Sequence, residues 1–323
     1  MVSIRDIAKK AGVSMTSVSY ALNNNPKISK KTTEHIKQVA AELNYRPNAA
    51  ARTLKARKTK KVGVFIKENK GIFFGDILAG IIETSAEAGF DTVVCTGENA
   101  TDSLADGSVD GGIIMDDLIT SDEMMQLADA GKKMVVLDRL FYHKNVRQVL
   151  LDNQRGATQM IEHLLTFPAA KTYIVTGNQD NFDSQERLKA IQKVIQHSPP
   201  PHSVQILTGE FELDGGLEAA ELIMKEWTGE PVNVFALSDS TAVGMQRLFQ
   251  EHGFVIGDQI RLAGFDNNLL SQYVTPPLTT VDYSTRSWGN EAATVLMALM
   301  TNKEAHHSLI PTTLMKRAST NNG

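Results

Sequence analysis

Residues 4–23 read IRDIAKKAGVSMTSVSYALN. Ser3, just before the stretch, is suited to cap a helix, and Asp6 falls in the first turn, where the helix dipole favours an acid. Ile4, Ile7, Ala8 and Ala11 recur at helical spacing. Gly12 ends the run, because it takes positive φ without a steric penalty. Ser14 opens a second short helix, Met15 to Asn23, with Val18, Ala21 and Leu22 as its buried face. Asn23-Asn24-Asn25-Pro26 is a loop. Ser29 caps a third helix, about Lys30 to Leu43, with Ile36, Val39, Ala40 and Leu43 on one side. Two short helices joined through Gly12 and backed by a third form a helix-turn-helix.

In that motif the second helix enters the major groove of DNA, its N-terminal residues nearest the base edges. Met15, Thr16 and Tyr20 are on its outward side. Thr16 can hydrogen-bond a base edge and Met15 can touch a thymine methyl. Ser14, Ser17, Ser19 and Asn23 are better suited to phosphates, which fix register without reading sequence. The charge distribution agrees. Residues 1–60 carry thirteen Lys and Arg against three acids, a balance of +10, whereas the rest of the chain carries −14, giving −4 in all. A basic head on an acidic body is what a polyanion-binding head requires.

The remainder is a different kind of protein. The chain has 323 residues, too many for one ordinary domain, and 42 % of them are apolar. Lys61–Ile66 is an apolar strand, and strands and helices alternate after it. Strands are expected at Thr92–Cys95, Gly111–Met115, Lys133–Leu137, Val149–Leu151, Thr172–Val175, Val204–Leu207, Val234–Leu237 and Arg261–Gly264. Helices are expected between them, the last over Thr285–Met300. Repeated βα units imply parallel sheets, and two sets of about 100 residues imply two similar doubly wound subdomains.

Residues 4–23 resemble the head of the lactose-repressor (LacI/GalR) family, with its DVAxxAGVSxxTVSxxLN pattern. Tyr45-Arg46-Pro47-Asn48, followed by Ala51-Arg52-Thr53-Leu54, resembles the family's YxPNxxARxL hinge, and the similarity continues to about Arg317. The resemblance implies an all-α head at 1–46, a hinge helix and linker at 47–60, and an effector-binding and dimerisation domain at 61–323. The two sensor subdomains would face each other as in periplasmic binding proteins, with chain crossovers near Arg155, Thr285 and Leu314. It implies a homodimer on double-stranded operator DNA, acting as a repressor. Asn48 would cap the hinge helix, Ala51 would allow close helix approach, Leu54 would wedge into the central base step, and Lys55 would reach the groove floor or a phosphate. One departure stands out. Gly97–Val109, GENATDSLADGSV, is shorter than the family's segment, so its helix is abbreviated or lost.

Ligands of open α/β sheets bind beyond the carboxyl ends of strands. Asp138-Arg139, Asp152-Asn153, Ser238-Asp239 and Asp266-Asn267 all follow expected strands. Asp and Asn bond vicinal hydroxyls, Arg187 offers a rigid fork of donors, and Phe74 and Phe211 offer stacking faces. The resemblance supports Arg187, Ser238, Asp239 and Asp266 individually. Lys189-Ala190-Ile191 replaces the usual small residue and Gly after the Arg, and Ser238 stands where many members have Asn. The expected effector is a small polar metabolite such as a sugar, bound without a cofactor.

Other classes fit less well. There is no GxGxxG or GxxxxGK[ST] phosphate loop, no HExxH and no GxSxG, so an enzyme is not expected. Cys95 is the one cysteine, which rules out an intramolecular disulfide and a multi-cysteine zinc site. No metal-ligand spacing occurs among the histidines beyond the His306-His307 pair, which lies in a polar loop before the last strand and is read as solvated. No apolar run spans a bilayer, and MVSIRDIAKK has no signal-peptide core. The expected location is the cytoplasm.

Overall fold

The computed structural model describes residues 2–45, 58–67, 73–97, 99–116, 118–198 and 203–321. It falls into two compact units, residues 1–58 and 59–323. Asn48, Ala51, Leu54 and Lys55, assigned to the hinge, lie outside the described residues.

The smaller unit is three helices: α1 (Ile4–Ala11), α2 (Met15–Leu22) and α3 (Lys30–Glu42). Each start is held by a side chain. Ser3 and Asp6 form a capping box on α1, Ser14 Oγ accepts from the Ser17 N–H, and Ser29 Oγ accepts from the Thr32 N–H. Gly12 takes a φ of 66° and turns the chain between α1 and α2. Ile7, Ala8, Val18, Ala21, Ile36, Val39 and Ala40 form the buried core, with Leu22 and Leu43 packed at its edge. A core of this size is thin, so these caps carry an unusual share of its stability.

The larger unit has two lobes, each around a parallel sheet. The first lobe runs β1 (Lys61–Phe65), α4 (Phe73–Glu87), β2 (Asp91–Cys95), α5 (Asp102–Ala105), β3 (Gly111–Ile114), α6 (Ser121–Asp129), β4 (Met134–Val136) and β5 (Val146–Leu151). The second runs α7 (Asn153–Leu165), β6 (Lys171–Thr176), α8 (Phe182–His197), β7 (Val204–Thr208), α9 (Leu213–Glu226), β8 (Val232–Ala236), α10 (Asp239–Glu251), β9 (Ile260–Ala263), α11 (Leu269–Tyr273) and β10 (Thr280–Asp282). Then α12 (Thr285–Met300) and β11 (Ser308–Ile310) return to the first lobe, and β12 (Thr313–Met315) pairs antiparallel with β10. The first sheet has the order β2-β1-β3-β4-β5-β11 and the second β7-β6-β8-β9.

The chain therefore crosses between lobes three times, at Asp152, at Tyr283-Ser284 and at Pro311-Thr312. The crossings are bonded to one another and to the first lobe. The Asp152 N–H donates to Ile310 O at 2.9 Å, Thr312 Oγ1 donates to Asp152 O at 3.0 Å, and Trp288 Nε1 donates to Val149 O at 2.7 Å.

Several short elements differ from the sequence expectation. β5 starts at Val146, three residues earlier than expected, because Arg147 interrupts an apolar run only nominally: its guanidinium leaves the sheet to donate to Ala305 O at 2.6 Å and Val146 O at 2.8 Å. The shortened 97–109 segment keeps one helical turn, α5, whose Leu104 is fully buried against the core of Phe65 and Ile114. β10, β11 and β12 have three residues each, too short to show alternation, and α11 has five.

Helices α4 and α12 pack closely together. A Cβ on Gly80 would lie 2.2 Å from Arg286 O, and one on Gly289 would lie 2.1 Å from Ile77 O. The obstacle in each case is backbone, which cannot step aside. Gly80→Ala and Gly289→Ala are each expected to destabilise the larger unit by about 1–3 kcal/mol, read as a lower urea midpoint for that unit. A midpoint unchanged in both variants would show that this helix crossing is not tight.

Candidate DNA-binding helix and ligand site

On α2, the residues assigned to DNA fall into two groups. Ser14 and Ser17 bond one another through their hydroxyls at 2.9 Å while Ser14 caps the helix, and Asn23 Nδ2 donates to Ser19 O at 2.8 Å. These residues shape the ends of the helix. Met15 and Thr16 are exposed, Met15 at 53 %, at its N-terminal end, and Tyr20 is half-buried. An apolar Met at that exposure is not part of the core of this unit.

In the larger unit, the assigned residues gather at the carboxyl ends of the strands, and Arg187 is the centre. It sits in the second turn of α8, following β6, and is 3 % exposed. Its Nε donates to Asn153 Oδ1 at 2.8 Å and its Nη1 donates to Leu237 O at 2.6 Å. Asp266 Oδ1 stands 3.7 Å from Nη1. The guanidinium lies over the Phe265 ring at 3.6 Å and 5.5 Å from the Phe211 ring. A buried cation needs such partners, because transfer of an unpaired charge from water is costly.

Two strained turns present the neighbours. Glu210 and Phe211 have φ of 53° and 63°, and Asp266 and Asn267 have 122° and 49°. Non-glycine residues rarely take these values without support. The support is visible. The Asn267 N–H donates to Thr280 Oγ1 at 3.2 Å, its Nδ2 donates to Asp282 Oδ1 at 2.8 Å, and the Arg317 guanidinium bonds its Oδ1. Gly177 leaves the space that the Phe211 ring fills, since a Cβ there would sit 2.7 Å from the ring.

The first lobe contributes Asp138, just beyond β4. Arg139 donates to it through Nε and Nη2. Burial nevertheless pushes the Asp138 carboxyl up to about 6, aided by repulsion from Asp183 in the second lobe. Phe74 is half-buried in the first turn of α4, packed on the same apolar cluster as Phe211 and Phe265.

Ser238 and Asp239 are placed differently from the expectation of direct ligand contact. Ser238 caps α10 and its Oγ donates to Phe211 O at 3.2 Å. Asp239 is fully buried and accepts from Thr280 Oγ1 at 2.6 Å and from the Asn268 N–H at 2.9 Å. Both are spent on holding the two strained turns. Burial and the nearby Asp266 hold the Asp239 carboxyl well above the usual aspartate range, and burial raises Asp266 as well.

Three further residues, Asn153 among the strand-end candidates and Asp183 and Tyr283 outside them, complete the arrangement. Asn153, at the first crossing, bridges Arg187 and Asp183, its Nδ2 donating to Asp183 Oδ1 at 2.7 Å. Tyr283, at the second crossing, donates to Asp266 Oδ1 at 2.9 Å. Asn153 carries a signal in the sequence as a strand-end amide. Asp183 looks like an ordinary first-turn acid, and Tyr283 follows a strand too short to recognise. Among the described residues no group of His, Cys, Asp and Glu could hold a metal, and no helix is long and apolar enough to cross a membrane.

Comparison with known proteins gives a consistent picture. The lacI family of bacterial regulatory proteins matches residues 3–48, and the periplasmic binding protein-like domain matches residues 161–320. The chain is 35 % identical to a sugar-binding transcriptional regulator (LacI family) from Enterococcus faecalis, with a TM-score of 0.76 over 81 % of this chain and 98 % of that one. It is 29 % identical to the HTH-type transcriptional repressor PurR of Vibrio vulnificus, over 94 % of this chain and 93 % of that protein. It is 27 % identical to the ribose operon repressor of Haemophilus influenzae, over 98 % of each.

The raised carboxyls set a pH dependence. Asp138 and its neighbours bind protons more tightly folded than unfolded, where an aspartate titrates near ~3.9. The fold then binds more protons than the unfolded chain, so stability falls as pH rises through the window, from about 4 to about 6 for Asp138. His163 and His307, lowered by burial, act in the opposite direction. The comparison is therefore between variants: Asp138→Asn should flatten the fall in melting temperature between pH 5 and pH 7. An identical slope in the two proteins would contradict the burial of this carboxyl.

Proposed function

We propose that this chain, which belongs to the LacI family of bacterial regulatory proteins, is a cytoplasmic homodimeric repressor whose operator affinity is set by a small polar metabolite, a sugar, bound around Arg187. It is a sequence-specific DNA-binding transcriptional regulator with a helical head and an α/β body of two parallel-sheet lobes. The observation that carries the reading is α2. It exposes Met15 and Thr16 at the end that would meet base edges, on a three-helix unit in the +10 portion of the chain.

For the body, support comes from the buried guanidinium flanked by aromatic rings, with carboxylates from both lobes nearby. This is an environment for a hydroxyl-rich ligand. Phe74, Asp138, Arg187, Phe211 and Asp266 are proposed to touch the effector, and Ser238 and Asp239 to position them. At the hinge, Asn48, Ala51, Leu54 and Lys55 keep the roles that the family resemblance implies. A homodimer suits a head that reads one half of a near-palindromic site, and the repressors among its relatives support repression.

The test is selection of bound sequences from a random duplex pool by the full-length protein at moderate salt. A palindrome with a flexible central step is expected; salt-sensitive binding with nothing enriched, with or without candidate sugars, would sink specific readout. On the selected site, Thr16→Ala should relax discrimination at one base position by about 1–3 kcal/mol.

Two further variants separate head from body. Leu54→Ala is expected to weaken operator binding with ligand affinity nearly unchanged, and equal loss of both would remove the hinge assignment. Arg187→Ala is expected to abolish the effector response while operator binding persists; a normal response would take Arg187 out of the site.

A further inference from the structure

A second concave site is built from residues that the Arg187 site does not use. It is a groove of about 650 Å³ between α7 and β12, a size usual for small-ligand sites. Gln159, Glu162 and His163 of α7 line one side, at the three- and four-residue spacing that puts them on one helix face. Leu314, Met315 and Lys316 line the other. Both sides have unused polar capacity. Gln159 Oε1 is buried with no hydrogen-bond partner, which costs free energy until a donor meets it. His163 offers a second acceptor. Thr279 donates its hydroxyl to Arg317 O at 2.9 Å, so Thr320, 2.8 Å from Thr279, donates to Thr279 and accepts from His163 Nε2 at 3.1 Å. Burial and the charge of Lys316 hold His163 below the ordinary histidine range. The ring is then neutral at pH 7, with Nε2 carrying the proton and Nδ1 a bare acceptor. Glu162 is exposed and, like Lys316, makes no ion pair among the described residues.

We propose that this groove binds a free apolar α-amino acid. The proposal does not depend on the reading of Arg187 as the effector site. Gln159 Oε1, the Glu162 carboxylate and His163 Nδ1 are three acceptors on one helix face, and an ammonium group has three N–H donors. Gln159 gives up no bond at Oε1 in turning that oxygen toward a donor. Lys316, on the opposite side, disfavours a plain amine and matches a carboxylate. Met315, 37 % exposed, and the half-buried Leu314 give an aliphatic or aromatic side chain a surface to cover. A simple anion such as phosphate would meet Glu162, and a neutral sugar would leave both charges unused. The two sides of the groove are also the first elements after the first and third crossings, which are tied together where Thr312 Oγ1 donates to Asp152 O. The amino acid therefore sits beside two of the three joints between the lobes.

The experiment is calorimetric and thermal-shift titration of the full-length protein with L-leucine, L-methionine and L-phenylalanine. Beside them run L-leucinamide, which lacks the carboxylate, and N-acetyl-L-leucine, which lacks the ammonium. At least one free amino acid is expected to bind and to raise the melting temperature. The amide and the acetyl derivative are expected to bind about tenfold more weakly than leucine, the loss of one hydrogen bond to a charged group. Gln159→Met keeps the side-chain length and removes the buried carbonyl. It should weaken amino-acid binding about tenfold without lowering the melting temperature of the ligand-free protein. Lys316→Gln, at an exposed position, is the second variant should the first fold poorly, and the same loss is expected. No binding by any of the three amino acids, equal binding of leucine and its two derivatives, or undiminished affinity in both variants would overturn the assignment. The reading of Arg187 as the effector site survives each of those outcomes, since none involves its residues.

Discussion

The larger unit depends on keeping one guanidinium dry. Arg187 cannot be buried at 3 % exposure unless each bonded nitrogen has a fixed partner, and its partners come from parts of the chain far apart in sequence. Asn153 is on the first crossing, Leu237 O ends β8, and Asp266 follows β9. Phe265 supplies the face beneath it, where a cation is attracted to the ring quadrupole. The strained backbone at Phe211 and at Asp266-Asn267 follows from the same demand. Ordinary turns would place those side chains elsewhere, and Asp239, Thr280 and Arg317 are spent on holding the unusual ones.

That arrangement ties the site to the joints between the lobes. Asn153 belongs to the first crossing and Tyr283 to the second. From Tyr283 the contacts continue to Trp288, whose ring centroid is 6.0 Å away, and Trp288 donates to Val149 O in the first-lobe sheet. The third crossing is bonded to the first through Thr312 and Asp152. A ligand that re-aims Arg187 or Asp266 therefore alters bonds made by residues on two of the three connecting segments. Packed interiors respond to such changes by moving between discrete arrangements rather than by stretching. This is the physical sense in which a ligand a few ångströms across changes the relation between two lobes.

Much of this was legible in the sequence, and the limits are instructive. The head is local, since its caps, its turn glycine and its apolar spacing lie within a few residues of one another. The βα alternation is equally open to reading, because buried parallel strands are apolar throughout. Arg187, Phe211 and Asp266 stand out as polar or aromatic residues beyond strand ends, and they converge. Asp239 has the same signature and points inward, because a strand-end acid serves a buried turn as readily as a ligand. Asp183 and Tyr283 were hidden for the opposite reason. Nothing local marks them: the partner of Asp183, Asn153, is thirty residues away at the first crossing, and Tyr283 follows a three-residue strand that conceals its crossing.

Reciprocity places a final constraint on how the two units work together. If the effector changes operator affinity by some factor, the operator must change effector affinity by the same factor. The strain and the buried carboxyls around Arg187 are then not only a local cost. Any part of that cost which differs between the two arrangements of the lobes contributes directly to the coupling, and any part common to both contributes nothing. The hydrogen bonds that hold Asn267 and Asp239 are made between residues of one lobe, so they belong to the part that builds the site.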